Sequence, residues 1–349
     1  MYILGIDTSC DDTSAAITHQ HTIISNVVSS QISLHQPYGG VFPTVAKLAH
    51  QQNIAPIVTI ALKKAKITPS QLSAVAVTYG PGLAPALEIG IQYAQEFSHQ
   101  HQLPLIGINH LEGHLLSPLL TRQSRSSSHA LTAKPTFPFL GIIISGGHSL
   151  FVQVDNYGQY QILGETLDDA AGECLDKIGR LLNLGYPAAP VLEQFAKKGD
   201  PHRFRYPLPL TTHRNFNLSF SGLKTHAHHL IQQLQKDNLL DQQTFYDLCA
   251  STQTGVFKHL NYKLNKLLTQ LPHFSCILVG GGVAANMTLR KNFRQLAKTH
   301  HLSIYFPYSR KLCGDNAAMI AYAGSFHFLY QHFSPNLDRQ PNLKLESWR

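Results

Sequence analysis

One pattern recurs along the chain and limits its fold more than any single motif. Apolar runs of strand length, bounded by turn residues, are expected over residues 2–7, 14–19 and 22–30. Apolar residues at helical spacing follow over 45–65, then a short buried strand over 74–78 that enters Gly80-Pro81-Gly82. A helix over 87–97, a strand over 105–108 and a helix over 110–120 complete the first round. Residues 121–138, rich in Ser, Arg, Lys, Thr and Pro, read as an exposed connection. The order then returns. Strands over 139–144, 150–155 and 160–163 precede a helix over 168–183 and a longer helical region over 243–271. A strand over 276–279 and helix 286–300, then strand 303–306 and helix 316–330, close the second round. Residues from 335 onward are polar and are expected to form a loose tail. Such doubling predicts two similar α/β lobes with a cleft between them, each carrying a turn after its first strand that can offer backbone N–H groups to phosphate.

The 349 residues are enough for two domains, and 43% hydrophobic against 14% charged residues supports a filled core rather than disorder. A net charge of +8 suits a polyanionic partner. The five cysteines are odd in number and show no C-x-x-C spacing, which argues against a disulfide framework and for a reducing compartment. The N-terminus lacks a basic region and turns acidic within eleven residues, unlike a signal peptide. No apolar run reaches the roughly 18–20 residues of a bilayer span. A cytoplasmic chain with no membrane partner is the expectation.

His110 and His114, four apart in a helical segment, share a face and suit one metal. With 21 histidines, composition alone yields about one such pair, so helix-surface histidines are the default reading. A zinc protease would place glutamate directly after the first histidine; here Leu111 stands there, and Glu112 points away from the shared face. Residues 280–285, GGGVAA, fit the glycine pattern of a dinucleotide site, but no acid ends the next strand, so they imply close backbone approach to a nucleotide and not NAD. No Walker A sequence occurs. Asp7, Asp11 and Asp12 follow the first strand, and Asp168, Asp169, Glu173 and Asp176 surround the start of a helix that Asp168 and Asp169 are placed to cap. Asp315 stands before the last helix, where capping is the ordinary role.

Read in order, GIDTSCDDT (5–13), YGGVFP (38–43), TYGPGL (78–83), NHLEGHLLSPLL (109–120), ISGGH (144–148), ETLDDAAGECLDKIGRLLNLGYP (165–187), FSGLKT (220–225), GGGVAANMTLR (280–290) and CGDNAAMIAYAG (313–324) resemble the bacterial-type tRNA N6-adenosine threonylcarbamoyltransferase family. The resemblance runs from residue 1 to about residue 325. It implies a two-lobed, actin-like ATPase fold of the ribonuclease-H-like kind, with lobes over 1–134 (plus about 318–349) and 135–317. It implies that His110, His114 and Asp315 bind one divalent metal, iron(II) first and zinc(II) second. Ile143, Ile144, Ser145, Gly146 and Gly147 match the loop that cradles the donor's phosphate. Asp176, Ala189, Glu193 and Asn286 match positions that contact the nucleoside, with Gly281 and Gly282 close by. The implied reaction moves threonylcarbamoyl from L-threonylcarbamoyl adenylate to N6 of the adenosine at position 37, 3′ of the anticodon in ANN-decoding tRNAs, and releases AMP. Asp11, or its neighbour Asp12, is the candidate proton acceptor, and Lys224, Lys291 and Arg294 are candidates for tRNA contact. The implied partners are a TsaB-like paralogous dimerisation subunit and a TsaE-like small ATPase.

Three departures stand out. Asp12 replaces a glutamate, Ala188-Ala189 replaces Gly-Gly, and Thr44-Val45-Ala46-Lys47-Leu48-Ala49-His50 lacks the Glu and Arg of Glu-x-Ala-Ser-Arg-x-His. The alternative is a catalytically silent nucleotide-binding paralogue of the same complex; the retained His110, His114 and Asp315 favour the enzyme. A kinase of the same fold would need no histidine pair.

Overall fold

The computed structural model describes residues 1–122 and 135–348, so most of the expected connection at 121–138 and of the Ser-rich stretch 122–128 lies outside the described residues. The chain divides into two compact units, one of Met1–Pro135, Tyr157–Gln159 and Tyr305–Arg349, the other of Thr136–Asn156 and Tyr160–Ile304. Residues 305–317, expected with the second lobe, group with the first unit.

In the first unit, β1 (Tyr2–Asp7), β2 (Asp12–His19) and β3 (Thr22–Ser30) form an antiparallel meander. A short α1 (Ile32–His35) and the long α2 (Pro43–Ala65) follow. Then come β4 (Ala74–Gly80), α3 (Ala84–His101), β5 (Leu105–Asn109), α4 (His110–Leu116) and β6 (Thr121–Arg122). The sheet order is β5-β4-β1-β2-β3-β6, with β1, β4 and β5 parallel. Alternation along β1 decides which helix covers which face. Leu4 and Ile6 point into a core with Ile54 and Val58 of α2 and Leu87 and Ala94 of α3.

The second unit repeats the plan. It is built from β7 (Phe139–Ile144), β8 (Ser149–Asn156), β9 (Gln159–Glu165), α5 (Ala171–Leu181), α6 (Ala188–Ala196), α7 (Ser221–Lys236), α8 (Gln242–Gln270), β10 (Cys276–Gly280), α9 (Met287–Thr299) and β11 (Ser303–Tyr305). Its sheet order β11-β10-β7-β8-β9 matches five strands of the first. β7 pairs antiparallel with β8 and parallel with β10.

The last helix, α10 (Ala317–Leu329), belongs to the first unit and covers the face of β1 that Leu4 and Ile6 leave. Gly5 makes room for it: a Cβ there would stand 2.3 Å from the Ala317 carbonyl oxygen. The buried alanines 317, 318, 321 and 323 allow that approach.

Three expectations need correction. Helices α6 and α7 are absent from the sequence reading. The helix expected over 168–183 starts only at Ala171, because Asp168 is drawn elsewhere. The polar C-terminal segment is not loose but tied to the first unit. Gly82 N–H donates to Pro341 O (3.0 Å), Gln340 N–H to Tyr79 O (2.7 Å), and Asn109 Nδ2 to Lys344 O (2.8 Å). Leu345 is buried, and Trp348 Nε1 donates to the buried Glu112 carboxylate at 3.1 Å. The other Glu112 oxygen lies 2.9 Å from His327 Nε2, so Glu112 does face away from His110 and His114. Among the described residues, no helix is long and apolar enough to cross a membrane.

Candidate metal and nucleotide sites

In the first unit, β5 ends at Asn109, whose side chain accepts the Leu111 N–H at 2.9 Å and caps α4. The cap places His110 on the first helical position and His114 one turn later. Asp315 lies two residues before α10. Asn316 takes the capping role expected of Asp315, accepting the Met319 N–H at 3.3 Å, and the Asp315 carboxylate is left for the histidines. Asp315 Oδ1 stands 3.2 Å from His114 Nε2 and 3.4 Å from His110 Nε2. One ligand atom from each of the three residues lies within 4.8 Å of the others. Ligands on one four-coordinate ion at 2.0–2.2 Å sit roughly 3.4 Å apart, so the spacing suits a shared cation.

The fit has a second support. His114 is fully buried, yet neither ring nitrogen makes a hydrogen bond, and His110 Nδ1 and Asp7 Oδ2 are also buried without one. Such atoms are costly unless something binds them. Asp7, not singled out as a ligand from sequence, ends β1 with Oδ1 3.6 Å from His110 Nδ1 and so faces the ring nitrogen opposite the metal side. Burial pushes His110 down, but the Asp315 and Asp7 carboxylates outweigh it and hold the imidazole up to about 10. Burial lowers His114. Burial opposes ionisation of Asp315, yet the His110 charge and the two imidazole contacts carry it well below the carboxylate range. Without an ion, the cluster therefore carries one proton that a cation must displace.

The turn after β1 carries the acids. Asp12 opens β2, with Oδ1 buried and unpaired. Burial lifts its carboxyl to about 7; a hydrogen bond from Ser30 opposes this, and the charges of Asp11, Asp315 and Asp7 add to it.

In the second unit, β7 and β10 end together at the expected glycine loops. Gly281 takes φ +92°, and a Cβ there would meet the Ile144 carbonyl oxygen at 2.4 Å. Internal packing and the positive φ by themselves require glycine there. Gly146, Gly147 and Gly282 have open space where a Cβ would stand. The Ser145 N–H is already used by His148 O (2.8 Å), so Gly146 and Gly147 are the loop's available amides. Ile143 and Ile144 are buried β7 residues.

Asp176 Oδ1 accepts the N–H groups of Ala188 (2.6 Å) and Ala189 (3.3 Å) and caps α6. Asn286 caps α9 through Thr288 N–H (2.9 Å), while its amide donates to Gln253 (2.7 Å). Glu193 Oε1 accepts the Met287 N–H at 3.4 Å, which joins α6 to the start of α9. The structure thus brings Asp176 and Ala189 together, and Glu193 with the start of α9. Lys224 is held by Asp169 at 2.8 Å, whereas Lys291 and Arg294 are exposed on α9.

The family model described as TsaD, tRNA N6-adenosine threonylcarbamoyltransferase, matches residues 22–322. The chain belongs to that family. The transferase is 42% identical over 94% of its length to the tRNA N6-adenosine threonylcarbamoyltransferase of Wigglesworthia glossinidia brevipalpis, covering 92% of that protein. It is 40% identical over 98% of its length to that of Carboxydothermus hydrogenoformans, covering 97%. Among solved structures it resembles T. kodakarensis HypF (TM-score 0.61, 12% identity, 95% of this chain and 48% of that one). It also resembles the activator of the 2-hydroxyisocaproyl-CoA dehydratase from Clostridium difficile (TM-score 0.52, 15% identity, 95% and 97%). These likenesses, with the two mixed sheets, show the actin-like ATPase fold expected from the sequence.

Proposed function

We propose that this transferase moves the threonylcarbamoyl group of L-threonylcarbamoyl adenylate to N6 of the adenosine 3′ of the anticodon (position 37) in ANN-decoding tRNAs, with release of AMP. The observation that carries the reading is the cluster of buried His110 and His114 with half-buried Asp315 in a chain of this family. A silent paralogue would have no use for three converging ligands with unpaired buried nitrogens.

His110, His114 and Asp315 would hold one divalent cation, iron(II) by preference or zinc(II). When bound, it supplies Lewis-acid polarisation of a carbonyl or phosphoryl oxygen. Asp7 holds the His110 ring in place from behind. The Gly146 and Gly147 amides are suited to the donor phosphate, and the start of α9 beside Glu193 to its nucleoside. The donor is a mixed anhydride with a good leaving group, so orientation and charge stabilisation suffice. The acceptor amine loses a proton, and Asp11 and Asp12 are the candidate acceptors. Asp12, titrating near 7, is the better matched to neutral pH. The working context is the cytoplasm, with the paralogous dimerisation subunit and the small ATPase.

The test is to incubate the chain, with both partner proteins and a divalent metal, with unmodified tRNA and the adenylate. Threonylcarbamoylated adenosine in the nuclease digest supports the reading. Its absence, with donor and tRNA intact, refutes it.

A further inference from the structure

The residues flanking Asp11 and Asp12 are tied to one buried imidazole that the proposed chemistry does not use. His50, on α2 and fully buried, places Nε2 3.0 Å from Cys10 O and Nδ1 2.8 Å from Thr13 Oγ1. The ring therefore bridges the residue before the acid pair and the residue after it. Gln31 joins from β3's end: its backbone N–H donates to Asp11 O at 3.0 Å, and its side-chain Nε2 lies 3.3 Å from His50 Nδ1. His35 Nε2 is 3.1 Å from Gln31 Oε1, and His35 Nδ1 accepts the Phe42 N–H at 3.2 Å.

The donor and acceptor roles in this chain follow from its ends. Cys10 O can only accept, so His50 carries its proton on Nε2 and Nδ1 accepts from Thr13 and Gln31. With Gln31 Nε2 donating, its Oε1 accepts, so His35 is also protonated on Nε2 and leaves Nδ1 for Phe42. Every link runs one way, from Phe42 N–H to Cys10 O. All four side chains in it are buried to 1% exposure or less, where only a satisfied network is stable.

We propose that His50, held by Gln31 and His35, is a positioning residue that fixes the Cys10–Thr13 loop and so aims Asp11 and Asp12. Burial lowers the His50 pKa, in keeping with the neutral ring the chain requires. Among the described residues His50 hydrogen-bonds with Cys10, Thr13 and Gln31 and not with the histidine–aspartate cluster or the nucleotide loops, so its removal should leave donor and metal binding in place. The inference rests on the reading that the acid pair serves the transfer.

The experiment compares wild type, His50→Phe, His50→Gln, Gln31→Leu and Asp12→Asn with Asp11→Asn, each with the partner proteins, per folded molecule as judged by circular dichroism. Steady-state kinetics, metal content and amide exchange of the 8–13 segment are read together. His50→Phe should lower kcat at least about tenfold, with donor KM and metal content within about twofold of wild type, and should speed exchange in 8–13. In His50→Gln the side-chain amide can still donate to Cys10 O, and kcat should return to within about threefold. Gln31→Leu, which keeps the imidazole, serves if His50→Phe does not fold, and should show the same split more weakly. If folded His50→Phe keeps wild-type kcat and exchange, or if His50→Gln is no better than His50→Phe, the proposal is overturned. If Asp11→Asn and Asp12→Asn both keep full kcat, it is the acid-pair reading that fails instead.

Discussion

Two residues in the first unit carry protonation behaviour that makes the site testable. His110 is held up to about 10, above its ordinary 6.5, by Asp315 and Asp7 against the effect of burial. In the metal-free protein this ion pair contributes stability that is complete below 6.5 and is lost as pH rises through about 10. A cation must displace that proton. Metal uptake at pH 7.5 should therefore release close to one proton per ion, readable by calorimetry in buffers of different ionisation enthalpy, and affinity should rise about tenfold per pH unit. His114→Ala should lower metal affinity by at least about 100-fold while leaving the fold intact, as measured by equilibrium dialysis. Asp12 behaves in the opposite sense: its carboxyl, raised from 3.8 to about 7, is favoured neutral, so its ionisation costs stability increasingly as pH climbs from 4 to 7. If it accepts the proton in transfer, kcat should rise with pH through about 7, and Asp12→Asn should flatten that rise. The histidine pair illustrates what sequence shows at this scale. Spacing alone made His110 and His114 no better than chance, and the family resemblance was needed to join them to Asp315. Asp7 escaped the ligand reading because its role depends on the ring turned toward it.

At the scale of elements, the strands and long helices were legible because their apolar periodicity is local. The helices α6 and α7 were not, and the reason is where their first-turn N–H groups find acceptors. Asp176 caps α6 from twelve residues upstream. Asp168 caps α7 from more than fifty, accepting from Phe220 N–H (2.7 Å), Ser221 N–H (3.2 Å) and the Ser219 and Ser221 hydroxyls (2.6 and 2.7 Å). A start signal drawn from another element leaves no mark beside the helix it starts. These contacts hold Asp168 below the usual carboxylate range although burial pushes the other way. Asp168→Ala should cost about 1–2 kcal/mol in urea unfolding, the scale of a lost cap. It should also weaken the link between β9 and α7, seen as faster amide exchange in the first turn of α7.

For the whole molecule, the doubled plan was readable from the order of elements, and the two sheets share it strand for strand over five positions. What the order does not reveal is that the C-terminal segment is part of the first unit's framework. Its polar composition suggested a loose end, but backbone groups of 337–344 pair with Gly82, Tyr79, Asn109 and Gln95, contacts that composition does not encode. Removing residues 335–349 should lower the midpoint of thermal unfolding by several degrees, followed by circular dichroism, and should uncover the buried Glu112–His327 pair. The same connectivity bears on biosynthesis. The strand β1 is made long before α10, which fits against its Gly5. When the last strand of the second unit, β11, has been made, the earlier sheet still lacks the helix that shields one face. Between the synthesis of β1 and that of α10 the nascent chain thus carries an open apolar surface, which makes it a natural client for a holding chaperone until α10 is translated.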